Sequence, residues 1–184
     1  MMTTTKKELK KETILKAAAH VVREEGVDKL TLEAVAKQAG ISKGGLLYHF
    51  PNKEELILGM VERMSNHFTG ELYQRAEQDS DSKGKWTRAY VETSFSEEQD
   101  VDGLYTALSV AHFTHPKMLK LLQEDYQDIQ HKLEHDELDP VRATMARLVV
   151  DGLWFAGMFG LAPPDDKLQQ QIMEELRNYI KEQS

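Results

Sequence analysis

Residues 31–53 read TLEAVAKQAGISKGGLLYHFPNK, and their pattern predicts the structure of the N-terminal part of the chain. Thr31 is a favourable N-cap for one short helix, and Ser42 is a favourable N-cap for a second. Gly40 allows the chain to turn between them, and Pro51 ends the second helix. Two short helices around a glycine turn predict a helix-turn-helix, whose second helix enters the major groove of DNA.

The second of these helices carries most of the groups expected to contact DNA. It begins Ser42-Lys43-Gly44-Gly45, and a helix N-terminus attracts phosphate through free N–H groups and the positive end of its dipole. The two glycines cost helix propensity, about 1 kcal/mol each relative to alanine, but they let the backbone approach DNA closely. We expect DNA contacts from Thr31, Ser42, Lys43, Gly44, Gly45, Tyr48, His49 and Lys53. Purely structural roles are also open for four of these residues: Thr31 and Ser42 as helix caps, Tyr48 as a half-packed ring, and His49 as a cation at the helix C-terminus.

The distribution of charge favours DNA binding by the N-terminal part of the chain. The net charge of −8 alone would disfavour nucleic acid. However, residues 1–53 hold ten Lys and Arg against six Asp and Glu, whereas the remainder has a net charge of −12. A basic head on an acidic body is typical of a DNA-binding protein with a second domain.

Hydrophobic periodicity predicts helices along the whole chain. We expect about nine, with three in the head (6–25, 31–39 and 43–50), a long one after Asn52, and others over about 85–98, 104–113, 116–134, 140–161 and 165–180. The sequence has no strand pattern or internal repeat. It therefore predicts an all-α protein with a helix-turn-helix domain over residues 1–53 and a larger helical domain over residues 54–184.

The head resembles the signature of the TetR family of bacterial repressors, a first helix followed by T…AG-S-K-G-x-L-Y-x-H/Y-F-x-x-K. The resemblance covers residues 8–60. Leu47 stands where many members have tyrosine, and Gly45 takes a place often held by a polar residue, so base readout is expected to differ in detail. The resemblance implies a homodimer on a palindromic double-stranded DNA operator, with recognition helices in successive major grooves about 34–36 Å apart.

The same resemblance implies that residues 54–184 bind a small-molecule effector and that the last two helices form the dimer interface. A mostly apolar pocket would suit a hydrophobic effector, although most large apolar residues are ordinary core. The candidate effector contacts are Trp86, Tyr90, Phe95, Tyr105, Leu108, His112, Phe113, Tyr126, Asp151, Trp154 and Phe155. The candidate dimer residues are Gly152, Ala156, Gly160, Ile172 and Leu176, of which the first three form a small-residue stripe that a second helix could approach.

Asp151 lies within an apolar helix and therefore needs a partner. The possible partners are an effector cation, a helix N-terminus, or Arg147 one turn earlier, and we favour a structural partner over the effector.

The most apolar window of the chain, residues 148–162, includes Asp151 and is shorter than the roughly 20 residues that span a bilayer. The chain has no cysteine and no secretory signal at its N-terminus, so we expect a cytoplasmic protein without a membrane partner.

Two histidine pairs have spacings that can hold a transition metal. They are His131 with His135 and His112 with His115. Seven histidines make such pairs frequent by chance, and the sequence fixes no third ligand, so we expect neither metal nor cofactor. No phosphate-binding loop or catalytic triad order is present, which argues against an enzyme.

These observations favour a ligand-responsive DNA-binding repressor, released from its operator by an effector that binds the non-DNA-binding state better. The alternative is a helical small-molecule-binding or catalytic protein whose head does not bind DNA. Activation instead of repression is also open, because the sequence does not distinguish the two.

Overall fold

A computed structural model describes residues 5–96 and 115–181, and all regular structure within these ranges is helical. The helices are α1 (Lys6–Glu25), α2 (Leu32–Gln38), α3 (Lys43–Leu47), α4 (Lys53–Gln78), α5 (Lys85–Ser94), α6 (Pro116–Glu134), α7 (Pro140–Phe159) and α8 (Asp166–Lys181), with a 3-10 turn over Val27–Lys29. The all-α prediction is confirmed. The helix expected over residues 104–113 lies outside the described residues.

The two caps of the helix-turn-helix form as the sequence predicts. The Thr31 hydroxyl accepts the N–H of Ala34 at 3.1 Å, and the Ser42 hydroxyl accepts the N–H of Gly45 at 3.1 Å. Between the helices, Gly40 has a φ of 64°, a left-handed conformation that glycine adopts without strain. The local sequence therefore determines where α2 and α3 begin and how the chain turns between them.

Helix α3 is shorter than expected, since it ends at Leu47 and not at Phe50. The chain continues in a tight turn, in which the N–H groups of His49 and Phe50 both donate to the Leu46 carbonyl at 2.9 Å. The following Pro51 has no N–H to donate to the Leu47 carbonyl and disfavours the helical conformation at Phe50, so the helix cannot continue past this turn.

The first compact unit comprises the described residues 5–66 and 115–122. Its core is apolar and includes Ile14, Leu30, Val35, Leu46, Leu56, Val61 and Met118. The unit extends past the boundary expected after residue 53, because Leu56 and Val61 from the start of α4, and Met118 from the start of α6, are buried with the head helices.

The second unit comprises the described residues 67–96 and 123–181, and α5 packs against α7 and α8 within it. Asp136, which is buried, joins the N-terminus of α5 to the loop after α6. Its carboxylate accepts the N–H groups of Trp86 at 3.0 Å and Thr87 at 2.7 Å, and the Thr87 hydroxyl at 2.8 Å. Because the preceding Gly84 has no side chain to cap α5, Asp136 supplies the cap from a distant part of the sequence.

Candidate nucleic-acid interface and effector site

One face of α3 is exposed while its opposite face anchors it in the core of the first unit. Leu46 is fully buried and Phe50 nearly so, whereas Lys43, Gly44 and Tyr48 are exposed. Tyr48 leaves 73% of its surface accessible, an unusual placement for a large aromatic side chain. The helix-turn-helix thus presents polar and aromatic groups on a rigidly packed support.

The two glycines of α3 have different surroundings. A Cβ atom on Gly44 would meet nothing within 4 Å, whereas one on Gly45 would lie 3.2 Å from the Ser42 hydroxyl oxygen that caps the helix. Packing among the described residues therefore gives no reason for glycine at position 44. With five residues, α3 also has a smaller dipole than the expected helix over 43–50, which leaves its N-terminus less attraction for an anion than the sequence predicted.

Lys43 is engaged in an ion pair with Glu33 of α2. Its Nζ atom donates a hydrogen bond to the Glu33 carboxylate, and both side chains are more than half exposed. The Lys43 hydrogen bond holds the pKa of Glu33 below its usual range. The lysine that the sequence assigned to DNA therefore has an intramolecular acidic partner, which the linear motif did not indicate.

The Tyr48 ring has two neighbours with nitrogen-bearing side chains, His49 and Lys7. Its ring meets the His49 ring edge-on with centroids 5.2 Å apart, and Nζ of Lys7 in α1 lies 5.7 Å from its ring centroid. Lys7 was not among the predicted contacts. The cluster of lysines at the start of α1 was the signal for it, but only the fold shows that Lys7 reaches Tyr48. Of the other predicted contacts, Thr31 and Lys53 are exposed.

Asp151 of α7 is the centre of a buried polar network in the second unit. Its Oδ1 atom accepts the Tyr90 hydroxyl and, at 3.3 Å, the Tyr126 hydroxyl. Its Oδ2 atom accepts Nη1 of Arg147 at 2.8 Å. Arg147 in turn donates through Nε to the Gln130 side chain at 2.8 Å. Asp151 thus has the structural partner that we favoured, together with two tyrosines from other helices.

Burial sets the protonation behaviour of this network. It raises the pKa of Asp151 above the ordinary carboxyl value, although the hydrogen bond from Tyr90 and the charge of Arg147 act in the opposite direction. Burial also raises the pKa of Tyr126 to about 12 and that of Tyr90 well above its usual range. Both hydroxyls are therefore protonated donors at neutral pH.

An open cleft of about 640 Å³ adjoins the network and shares Tyr126 and Arg147 with it. Its other lining residues are polar: Gln123, Gln127, Gln130, His131 and Glu134. Of the remaining predicted effector residues, Trp154 lies one helical turn from Asp151 on α7, and Phe95 packs against the core of the unit. The predicted residues Tyr105, Leu108, His112 and Phe113 lie outside the described residues.

Trp86 has a local packing role. Its ring lies edge-on to Tyr73 with centroids 5.1 Å apart, and Nζ of Lys132 lies 4.9 Å from the centroid of each ring. Lys132 also pairs with Asp128, whose carboxylate accepts the Tyr73 hydroxyl at 2.9 Å. The Trp86 ring thus belongs to a cluster that already contains its own cation.

The predicted dimer residues fall into different environments. Gly152 is exposed, with room for a Cβ atom, and Ala156 and Ile172 are partly exposed. Gly160 has a φ of 63° and ends α7 as its C-cap, which accounts for glycine at this position. Leu176 is only 6% exposed and packs in the core of the second unit, so it is not available to a partner.

A row of exposed apolar side chains on α7 was not predicted from the sequence. Phe155 stacks on Phe159 with centroids 6.1 Å apart, on the side of α7 that carries this row. The row, which we call the α7 stripe, consists of the exposed residues Val141, Met145, Leu148, Gly152 and Phe159, together with the partly buried Phe155. Its members recur at spacings of three and four residues, the helical period, so they form one continuous face.

The histidines of the described residues form no cluster that could bind a metal. Nδ1 of His135 contacts the carbonyl of His131 at 2.7 Å, and Nε2 of His115 contacts the Glu54 carboxylate at 2.5 Å. Over residues 5–96 and 115–181, no group of three or more His, Cys, Asp or Glu is arranged to hold a metal ion. None of the helices in these two ranges has the length and apolar character required to cross a bilayer.

Comparison with known proteins identifies both halves of the chain. Residues 14–60 match the family model described as bacterial regulatory proteins, tetR family, and residues 84–181 match the tetracyclin repressor-like C-terminal domain. The negative transcriptional regulator IcaR of the biofilm operon icaADBC in Staphylococcus epidermidis is 31% identical over 129 residues. That alignment spans 70% of this chain and 66% of IcaR.

Solved structures share the fold. The multidrug binding protein EbrR complexed with ethidium has a TM-score of 0.63 at 21% identity, covering 91% of this chain and 97% of that one. A regulator from Saccharomonospora viridis in complex with choline has a TM-score of 0.71 at 17% identity, covering 94% and 95%. The two matched models together span most of the chain and confirm the resemblance seen in its sequence: this protein belongs to the TetR family of bacterial transcriptional regulators.

Proposed function

We propose that this chain is a dimeric, ligand-responsive repressor that binds a palindromic operator through α3 and its flanking residues. The observation that carries the proposal is the division of the α3 segment into a buried side, Leu46 and Phe50, and an exposed side that includes Lys43 and Tyr48. A segment whose only role was packing would not expose an aromatic ring to this extent. The relative IcaR is described as a negative regulator, which favours repression.

The DNA contacts divide into two kinds. Lys43, Lys53 and the newly identified Lys7 supply charge to the phosphate backbone, which contributes affinity for any sequence. Tyr48 and His49 project beside them and supply contacts to base edges or sugar-phosphate atoms. The open space at Gly44 allows the α3 backbone to approach the DNA closely. Because DNA is the target, we place the protein in the bacterial cytoplasm.

A second copy of the chain is the proposed partner for the α7 stripe. Val141 is 67% exposed, Met145 49% and Leu148 54%, so a continuous apolar face is open to solvent. Such a face is costly in water and is typical of a subunit interface. An isologous pairing of α7 with its own copy buries the stripe on both subunits and gives the two-fold symmetry that a palindromic operator requires.

The proposed effector site is the cleft beside Asp151. Tyr126 and Arg147 line both the cleft and the buried network, so a ligand there competes for or extends the hydrogen bonds of Asp151. The described lining is largely polar, which suits an effector with polar or charged groups on an apolar frame. Two structural relatives were crystallised with the organic cations ethidium and choline, which supports an organic cation as the effector. An effector that binds the non-DNA-binding state better releases the operator.

Fluorescence anisotropy with DNA from upstream of the protein's own gene tests the proposal. We expect salt-dependent binding, and we expect Lys53→Ala to weaken binding to all sequences alike, with a salt slope lower by about one unit. Lys167→Gln, on the second unit, removes the same charge and serves as the control. Absence of salt-dependent binding would support instead a helical small-molecule-binding protein with a head that does not contact DNA.

The same assay with added ligand tests effector control. Ethidium and choline are suitable first probes, and we expect release of DNA by at least one member of a wider panel of organic cations. A transcriptional reporter downstream of the bound region separates repression from activation. Expression that rises when the gene for this protein is deleted supports repression, and expression that falls contradicts it.

A further inference from the structure

A second cleft in the body lies apart from the effector site and is rich in basic side chains. It has a volume of about 360 Å³ and is formed by the end of α4, by α5 and by the end of α8. Its charged lining consists of Arg75, Asp79, Arg88, Glu92, Arg177 and Lys181. It shares no lining residue with the cleft beside Asp151. Four cations against two carboxylates make it a positive concavity within an acidic body.

One of these four cations, Arg88, is already committed to a structural role. Arg88 donates to Asp79 at 2.7 Å and to the carbonyls of Lys83 and Asp81 at 2.8 and 2.7 Å. These bonds tie the loop before α5 in place. The charges of Arg88 and Asp79 cancel, and the positive character of the cleft therefore comes from Arg75, Arg177 and Lys181 around Glu92.

Arg75 differs from its neighbours because its Nε atom has no acceptor among the described residues. Its Nε atom is shielded from solvent and makes no hydrogen bond to any residue of the described chain. A buried N–H of this kind is costly, because it has lost water without gaining a protein partner. Arg177 retains one guanidinium nitrogen, Nη1, outside its paired contacts to Glu92 at 2.6 and 2.9 Å. Lys181 is exposed at the rim.

We infer that this cleft binds a small oxyanion, a phosphate or carboxylate group carried by a metabolite, between Arg75, Arg177 and Lys181. A guanidinium presents donors in a planar fork that matches two oxygens of such a group, and an ammonium adds a point charge. The volume of the cleft fits a small metabolite and not a polymer. Glu92 lies beside the same cations and limits affinity by repelling the anion and by occupying Arg177.

Isothermal titration calorimetry on the full chain at constant ionic strength tests the site, with inorganic phosphate and succinate as separate probes. We expect at least one of them to bind, which also distinguishes phosphate from carboxylate chemistry. Arg75→Gln and Lys181→Gln should each weaken binding about tenfold, the effect of losing one charge-assisted contact. Glu92→Gln should strengthen it, the opposite of what loss of a merely structural ion pair would do.

Lys167→Gln is the matched control, because Lys167 lies on the same helix about 21 Å away at a rise of about 1.5 Å per residue. It should leave anion affinity unchanged. The inference is overturned if neither anion binds, if Lys167→Gln costs as much affinity as Arg75→Gln, or if Glu92→Gln weakens binding. Thermal unfolding of each variant confirms that the fold is retained, and Lys181→Gln, at an exposed position, provides the test if Arg75→Gln is unstable.

Discussion

Lys43 and Glu33 form an ion pair across the helix-turn-helix, with Nζ of the lysine donating to the carboxylate of the glutamate. Lys43 cannot give its full charge to a phosphate while it is paired, and Glu33 repels phosphate from the same position. We therefore expect Glu33 to weaken the proposed contact of Lys43 with DNA of any sequence.

Glu33→Gln should remove both the ion pair with Lys43 and the repulsion of phosphate. We expect affinity for both operator and random DNA to rise about two- to fivefold, the scale of an exposed charge interaction, with a steeper salt dependence. Anisotropy titrations at several salt concentrations measure the effect. Glu77→Gln in the second unit makes the same change in net charge and should have no effect on binding. Equal or weaker binding by Glu33→Gln would show that Glu33 does not oppose DNA.

Tyr48 and Leu46 provide a paired test of contact against packing. Tyr48→Ala should change the free energy of unfolding by less than about 0.5 kcal/mol, because its ring is 73% exposed, but should weaken operator binding about tenfold. Leu46→Ala should cost about 2–5 kcal/mol of stability, because Leu46 is fully buried. Urea unfolding and anisotropy separate the two effects. A Tyr48→Ala variant with native operator affinity would exclude the ring from the interface.

Asp151 should make the stability of the protein depend on pH. Its pKa is higher in the folded chain than in the unfolded chain, so the folded state holds that proton to higher pH. The contribution of Asp151 to the free energy of unfolding therefore falls as pH rises from near 4 through the raised pKa. Asp151→Asn should remove this part of the pH dependence. Because it leaves Arg147 without a charged partner, it should also destabilise the protein at neutral pH by about 3 kcal/mol.

Urea unfolding of the wild type and Asp151→Asn across pH 4–8 measures both effects. Asp136 also has a pKa raised by burial and remains in both proteins, so it cancels in the difference. A difference between the two proteins that stays constant over the whole range would contradict the assignment to Asp151.

The α7 stripe should hold two subunits together. Leu148→Glu places a charge in the middle of the stripe, where Leu148 is 54% exposed, and should convert the dimer to monomer because burying an unpaired charge is costly. Sedimentation velocity reads the change directly. Leu9→Glu, at a position that is 58% exposed on α1, is the control and should remain dimeric. If Leu148→Glu sediments like the wild type, the subunits pair through another surface.

Asp136→Asn tests the cap that a distant residue supplies to α5. The amide offers one acceptor where the carboxylate offers two, so at least one of the N–H groups of Trp86 and Thr87 loses its partner. We expect a loss of about 1–3 kcal/mol in stability by urea unfolding, the cost of a buried unsatisfied donor. Asp165→Asn, at the exposed cap of α8, should cost less, because water can replace the lost bond.

The local elements follow from short stretches of the sequence. Thr31 and Ser42 cap α2 and α3 because their hydroxyls reach backbone N–H groups a few residues away, and such contacts depend only on neighbouring residues. The bounds of α1 and α6 follow from helical periodicity in the same way. The predicted Asp151–Arg147 pair also formed, because residues four apart lie on one helical face.

The contacts between elements, in contrast, become visible only in the folded chain. Three contacts join residues that are distant in the sequence, which no local pattern encodes. Lys43 pairs with Glu33 across 10 positions, Lys7 approaches Tyr48 across 41, and Asp136 caps α5 across 49 or more. Leu176 and Gly160 illustrate the same limit, since apolar character and small size did not reveal that one is core and the other a helix end. Periodicity shows that a helix has an apolar face, but only packing shows which face is covered.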